Sequence, residues 1–127
     1  MISRIRNNCA SGNTVIHNNV AYLSGIVPTD LSNNIIEQTY EVLSLLDTEL
    51  VKINSSKCDI LNMTIYLKDA SLYDDMNIAF NHWIKGFPSP AISVIGIVNF
   101  LNPRCFIEIV VTAALSNNTE LYYLKMF

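Results

Sequence analysis

Between residues 34 and 52, Ile36, Tyr40, Leu43, Leu46 and Leu50 recur every three or four positions, the spacing of one apolar stripe along a helix. Asn34, with Glu37 three residues on, makes a capping pair at its start, and Asn54-Ser55-Ser56 closes it in a loop. The period then changes. Leu61, Met63, Ile65 and Leu67 alternate with Asn62, Thr64, Tyr66 and Lys68, which predicts a strand with one covered face. Asp69 and Ser71 offer N-caps for a second helix with the stripe Leu72, Met76, Ala79 or Phe80, and Trp83; Gly86 and Pro88 end it. Nearer the N-terminus, Val15-Ile16-His17 and Val20-Ala21-Tyr22-Leu23 flank Asn18-Asn19. Asparagine tolerates left-handed backbone, so this pair predicts a tight hairpin turn.

The longest apolar stretch, residues 88–114, holds a single carboxylate, Glu108. Two β-branched runs, 92–100 and 106–111, are joined through Asn102-Pro103 and read as neighbouring strands of a well-covered sheet. A carboxylate inside such a strand is expensive to bury unless something satisfies it. Glu108 therefore has either a structural hydrogen-bond partner or a chemical role. The order β-β-α-β-α-β-β predicts an α+β fold, a mixed sheet with two helices on one face. Residues 1–115 read as a single domain, and 116–127 as a polar-then-aromatic C-terminal extension that adds a strand or docks on a neighbour.

At 127 residues the chain supports one core. Half the residues are hydrophobic and 15% are charged, an apolar balance that points to cover by partner subunits. No segment reaches the roughly 18 uninterrupted apolar residues of a membrane span, and no apolar signal core follows the basic start. The expectation is a cytoplasmic protein without a membrane partner. Cys9, Cys58 and Cys105 are odd in number and widely spaced, which argues against a disulfide framework or zinc site. His17 and His82 lie far apart, so no metal is expected. With a net charge of −3 and no basic cluster beyond Arg4 and Arg6, no nucleic-acid partner is expected either.

The motifs, taken in order, resemble the Rid family of reactive-intermediate or imine deaminases, and within it the YoaB-like branch. Val15-Ile16-His17-Asn18-Asn19 precedes Tyr22-Leu23-Ser24-Gly25, and Glu37-Gln38-Thr39 opens the long helix. Asp59-Ile60-Leu61 leads into Thr64-Ile65-Tyr66-Leu67-Lys68-Asp69. Met76-Asn77, Phe80 and Trp83 follow, then Pro90-Ala91, Leu101-Asn102-Pro103 and Ile107-Glu108-Ile109. The resemblance implies a chorismate-mutase-like fold that assembles as a homotrimer with a central barrel and three clefts between subunits. It further implies hydrolysis of imines or enamines, usually 2-imino acids, to ketones and ammonia without metal or organic cofactor. In active members an arginine directly after the Pro-Ala pair clamps the substrate carboxylate, a carboxylate on the last strand positions water, and backbone near the Ser-Gly turn completes the cleft.

Ser24, Gly25 and Glu108 match those positions, which makes Glu108 the candidate general base or water-positioning group. The clamp is absent: Ile92 follows Pro90-Ala91, then Ser93, and Val94 stands at the family's thiol position. Ser11 aligns with an expected aromatic residue. Exchanging arginine for isoleucine would leave a substrate carboxylate desolvated and unpaired, at a cost of several kcal/mol. Arg104, in the turn after Pro103, is the obvious replacement cation, yet it lies at the far end of the strand from Ile92 and needs another subunit to approach it.

Three readings follow. In the first, the protein is a pathway-specific enzyme acting on a small neutral imine, enamine or carbonyl metabolite. The second makes it a non-catalytic trimer that binds a small metabolite. The third is a 2-iminobutanoate/2-iminopropanoate deaminase using other residues. Against a catalytic role, Glu108 could accept loop N–H bonds and do nothing else, and Ser24 could cap its own turn. Phe80 and Trp83 are explained by helix packing, and Tyr22 and Tyr66 either by sheet packing or as the edge of a pocket.

Overall fold

A computed structural model describes residues 1–7 and 12–116. Cys9, Ser11 and all of the proposed extension except Ser116 lie outside the described residues. Six strands, β1 (Ser3–Arg6), β2 (Asn13–His17), β3 (Val20–Tyr22), β4 (Ile60–Leu67), β5 (Ala91–Ile95) and β6 (Ile107–Ala114), form one sheet in the order β1-β2-β3-β6-β4-β5. Two helices, α1 (Ile35–Lys52) and α2 (Tyr73–Ile84), complete an α+β fold in which α1 packs on β6 and α2 on α1. Every strand pair is antiparallel except β4 and β5, which are parallel because α2 carries the chain across between them. The N-terminal strand β1 has no counterpart in the predicted order; the remaining elements appear in sequence as expected.

The Asn18-Asn19 turn is a tight hairpin: both residues have positive φ, 52° and 64°, the left-handed pair whose twist matches its strands. The Asn34 side chain caps α1, accepting from the Glu37 backbone N–H at 2.9 Å. The buried stripe of α1 is rotated from the predicted one. Ile35 and Val42 join Leu43, Leu46 and Leu50 inside, while Tyr40 is exposed and Ile36 only partly covered. Polar members of that stripe have partners. Thr39 donates to Ile35 O, Glu49 pairs with Lys52 at 3.0 Å, and Gln38 bonds to loop backbone. On β4 a bulge between Ile60 and Asn62 shifts the alternation, so Ile60 enters the core and Leu61 faces out.

The sequence predicts the last two strands as neighbours, but they are not: β4 lies between them. The second apolar run also leaves the sheet earlier. Strand β5 stops at Ile95, and a Cβ on Gly96 would lie 3.1 Å from Ala70 Cα, so the chain turns there against the segment that leads into α2. Val98 N–H then donates to Leu67 O at 3.1 Å, and the connection returns across the sheet as an open loop before β6 begins. Both faces of β5 are exposed, in contrast to a well-covered strand. Along β6, Ile107, Ile109, Val111 and Ala113 are buried beneath the helices, and Glu108, Val110 and Thr112 alternate onto the opposite, half-covered face.

Candidate functional site

Glu108 stands where two depressions meet on that face. One, of about 270 Å³, is walled by Val27, Pro28 and Leu31 from the β3–α1 loop and by Phe100, Leu101, Asn102 and Cys105 from the β5–β6 loop. The other, of about 330 Å³, adds Tyr66, Val98, Asn99 and Val110. Loops form most of these walls and the sheet supplies the carboxylate, a division that lets loop sequence set the shape around a group held by the sheet. Tyr66 lies directly opposite Glu108 in the β4–β6 register, which brings it to the second depression and favours the pocket-edge role.

Glu108 is half-buried, and among the described residues its carboxylate has no hydrogen-bond partner. Among the described residues, then, no loop backbone N–H satisfies it. Burial pushes its pKa above the ordinary carboxylate range. Gly25 makes the space it occupies: a Cβ there would sit 2.5 Å from Glu108 Oε2. The absence of a side chain at 25 lets the carboxylate lie against the backbone that follows β3, where Ile26 is tied to Ile109 by reciprocal backbone bonds of 2.9 and 3.0 Å. Cys105 has a thiol pushed up in pKa by burial, and it donates to Ile107 O at 3.4 Å. It is a packed thiol rather than a ready nucleophile.

Ser24 is engaged elsewhere. Its hydroxyl donates to Asn13 O at 2.7 Å, across to β2 rather than within its own turn. Ile92, Ser93 and Val94 lie on β5, two strands from Glu108. Ile92 is registered with Met63 and Val94 with Ile65, so both belong to the helix-side face; Ser93, registered with Thr64, shares the face of Glu108. Ile92 and Val94 are each 37% exposed at the sheet edge. One chain thus brings Gly25 to Glu108 but leaves the β5 residues apart from them. Arg104 is exposed in the turn beside Cys105, and its side chain does not line either depression.

Periodicity did not single out the apolar walls Val27, Pro28, Leu31, Phe100 and Leu101. They sit in loops, where no repeat marks an inward side. The available signal was an apolar run continuing past a glycine, Gly96, which a strand would not tolerate without bending. Among the described residues no group of three or more His, Cys, Asp or Glu side chains could hold a metal ion. Nor is any helix there long and apolar enough to cross a membrane.

Residues 4–115 match the family model described as Endoribonuclease L-PSP. A RutC family protein of Haemophilus ducreyi is 38% identical over 117 residues, covering 92% of this chain and 99% of that protein. RutC family protein YoaB of Escherichia coli K12 is 34% identical over 113 residues, 89% of this chain and 97% of that one. Among solved structures, a putative translation initiation inhibitor from Salmonella typhimurium superimposes with a TM-score of 0.83 at 32% identity, covering 90% of this chain and 97% of that one. Sequence match and backbone shape agree over nearly the whole described domain, and the chain belongs to the endoribonuclease L-PSP (YjgF/Rid) family.

Proposed function

We propose that this protein hydrolyses a small, neutral imine or enamine, or acts on the corresponding carbonyl metabolite, with Glu108 as the general base. One observation carries the reading. Glu108 is a half-buried carboxylate of raised pKa, without a hydrogen-bond partner among the described residues, in a cleft whose described lining is largely apolar and contains no cation. Partial burial without a compensating partner makes the charged form costly and holds the pKa up, and carboxylates perturbed in this way concentrate at sites of chemistry. While ionised, a carboxylate of raised pKa is also a stronger base.

In this scheme Glu108 takes a proton from a water molecule as its oxygen bonds to the imine carbon and passes that proton to the imine nitrogen, giving a neutral carbinolamine. Glu108 then takes the carbinolamine hydroxyl proton and delivers it to nitrogen as the C=O bond forms and the C–N bond breaks, leaving a ketone and ammonia. An enamine first gains a proton on carbon and loses one from nitrogen, which makes it the imine, and then follows the same course. A 2-imino acid would bring a second carboxylate near Glu108 with no cation in the described walls, and that repulsion disfavours it. The family resemblance supports assembly as a homotrimer. In that arrangement Ile92, Ser93 and Val94 of a neighbouring copy complete the cleft with Ser24 and Gly25. No cofactor enters the scheme, and a cytoplasmic location accords with it.

The test is to generate a small neutral enamine and 2-iminopropanoate side by side in situ and follow ketone and ammonia release. Acceleration of the neutral compound, reduced about 10²–10⁴-fold in Glu108→Gln, is the expected result. Equal acceleration of 2-iminopropanoate would refute the neutral-substrate reading. Flat progress curves for both, with retained ligand binding in Glu108→Gln, would establish a binding protein instead.

A further inference from the structure

We propose that Gln38 is the positioning residue of the cleft, a buried amide on α1 that fastens both loop walls beside Glu108 to the same helix turn. Its side chain is fully buried. The Nε2 group donates to Asn33 O at 3.1 Å and to Arg104 O at 2.9 Å, and Oε1 accepts from Phe106 N–H at 2.9 Å. An amide carries two N–H donors and a carbonyl acceptor, and this site uses all three. The partners also fix the orientation of the amide, since a flipped group would set its oxygen against two carbonyls.

Those three backbone groups belong to the two segments that form the cleft. Asn33 lies two residues beyond Leu31, the last wall residue of the β3–α1 loop. Arg104 and Phe106 flank Cys105, the wall residue nearest β6, and Glu108 follows two residues after Phe106. Phe106 O is already engaged, accepting at 3.0 Å from the N–H of Lys68, the residue that follows β4, so that segment holds one side of this residue and Gln38 holds the other. One turn further along α1, the Glu41 carboxylate accepts from the Thr29 and Asp30 N–H groups at 2.9 and 3.2 Å and also from the Thr29 hydroxyl. Glu41 holds the outer part of a single loop. Among the described residues Gln38 alone joins both by side-chain hydrogen bonds.

A loop wall without regular secondary structure keeps its shape only if its backbone polar groups have partners. An apolar residue at 38 would leave three of them unpaired, and the two walls could then separate and admit water to Glu108 and Cys105. The proposal rests on reading this cleft as the working site, but its test needs no turnover. Gln38→Met preserves length and apolar volume while removing all three bonds. In that variant we expect iodoacetamide to label Cys105 about tenfold faster or more, read for each cysteine by mass spectrometry. Glu108 should titrate nearer the ordinary carboxylate range by carboxyl NMR, while amide exchange at Met63 in the core of β4 stays unchanged. Labelling of Cys105 that does not change, or that rises only in step with exchange at Met63, would overturn the proposal, because a merely structural loss opens the whole domain.

Should Gln38→Met fail to fold, wild-type protein decides. The Phe106 amide, though at a loop end, should exchange at least about tenfold more slowly than the amide of Leu101, an exposed position of the same loop. Equal rates would refute the clamp. Absence of imine hydrolysis with these results intact would sink the proposed reaction and leave the role of Gln38 standing.

Discussion

Replacing Gly25 with alanine adds one methyl group at the point where the cleft is tightest. The new Cβ would lie 2.5 Å from Glu108 Oε2 and 2.9 Å from Cδ, whereas ordinary contact begins at 3.4 Å. Gly25 does not have the positive φ that would itself exclude a side chain, so the backbone accepts alanine and only the carboxylate must move. The required retreat, from 2.5 to 3.4 Å, is about 0.9 Å. Swinging the end of a flexible side chain off its rotamer costs about 0.5–1.5 kcal/mol. Stiffening the unfolded chain returns about 0.4–1 kcal/mol. Net stability should therefore change by less than about 1 kcal/mol. Activity is more sensitive, because a misplacement of about 1 Å at a reacting centre costs on the order of 100-fold. The assay is a double-mutant cycle of Gly25→Ala and Glu108→Ala, with urea unfolding for stability and neutral-enamine hydrolysis for rate. In the Glu108→Ala background, alanine at 25 should become stabilising, since the group it displaced is gone. A loss above about 3 kcal/mol that persists in that background would refute the collision geometry. Full activity in Gly25→Ala would refute the claim that the carboxylate must sit where it does.

Four further outcomes are expected. Glu108 has a raised pKa when folded, so its contribution to stability is complete below its ordinary value of 4.5 and is lost as pH rises through the folded value. Glu108→Gln should flatten that part of a Tm-against-pH curve and be at least as stable as wild type at pH 7; a clear loss there would mean Glu108 has a stabilising partner. Glu41 behaves in the opposite sense. Burial works to raise it, but hydrogen bonds from the Thr29 side chain and from the Thr29 and Asp30 backbone hold its pKa below 4.5. Its contribution is present above 4.5 and fades as pH falls through the lower folded value, so melting curves of Glu41→Gln and wild type should converge in acid. Asn34→Ala removes the α1 cap and should cost about 1 kcal/mol by urea unfolding. On the proposed function, Ile92→Arg sets a cation where the resemblance implies a clamp and should gain 2-imino acid hydrolysis; since Ile92 lies two strands from Glu108 in its own chain, the gain would also require a neighbouring copy. No gain in a folded assembly would show that the rest of the cleft has diverged as well.

Local order was legible in the chain because it depends on neighbours in sequence. The Asn18-Asn19 turn, the Asn34 cap, the period of α1 and the core of α2 all follow from contacts spanning a few residues, and the structure contains each of them. Departures arose where a distant element set the outcome. The buried stripe of α1 is rotated by the sheet it packs on, which selects Val42 over Tyr40. A bulge against β6 moves Leu61 out of the core of β4. The second apolar run reads as a long strand until Gly96 meets Ala70, a contact between residues 26 positions apart.

The site divides along the same line. Glu108 stood out in the sequence because a lone carboxylate in an apolar strand is costly wherever that strand lies. Its company was not legible. Gly25, the loop walls and the three bonds of Gln38 are brought together across separations of 66 and 68 residues for Arg104 and Phe106. By itself, then, the amino-acid order determined which elements form and which residue is chemically anomalous. Strand order, the identity of the cleft walls and the amide that joins them were decided only in the tertiary structure. Side-chain periodicity records burial against the nearest layer, whereas loop closure depends on pairing backbone groups that no local pattern marks.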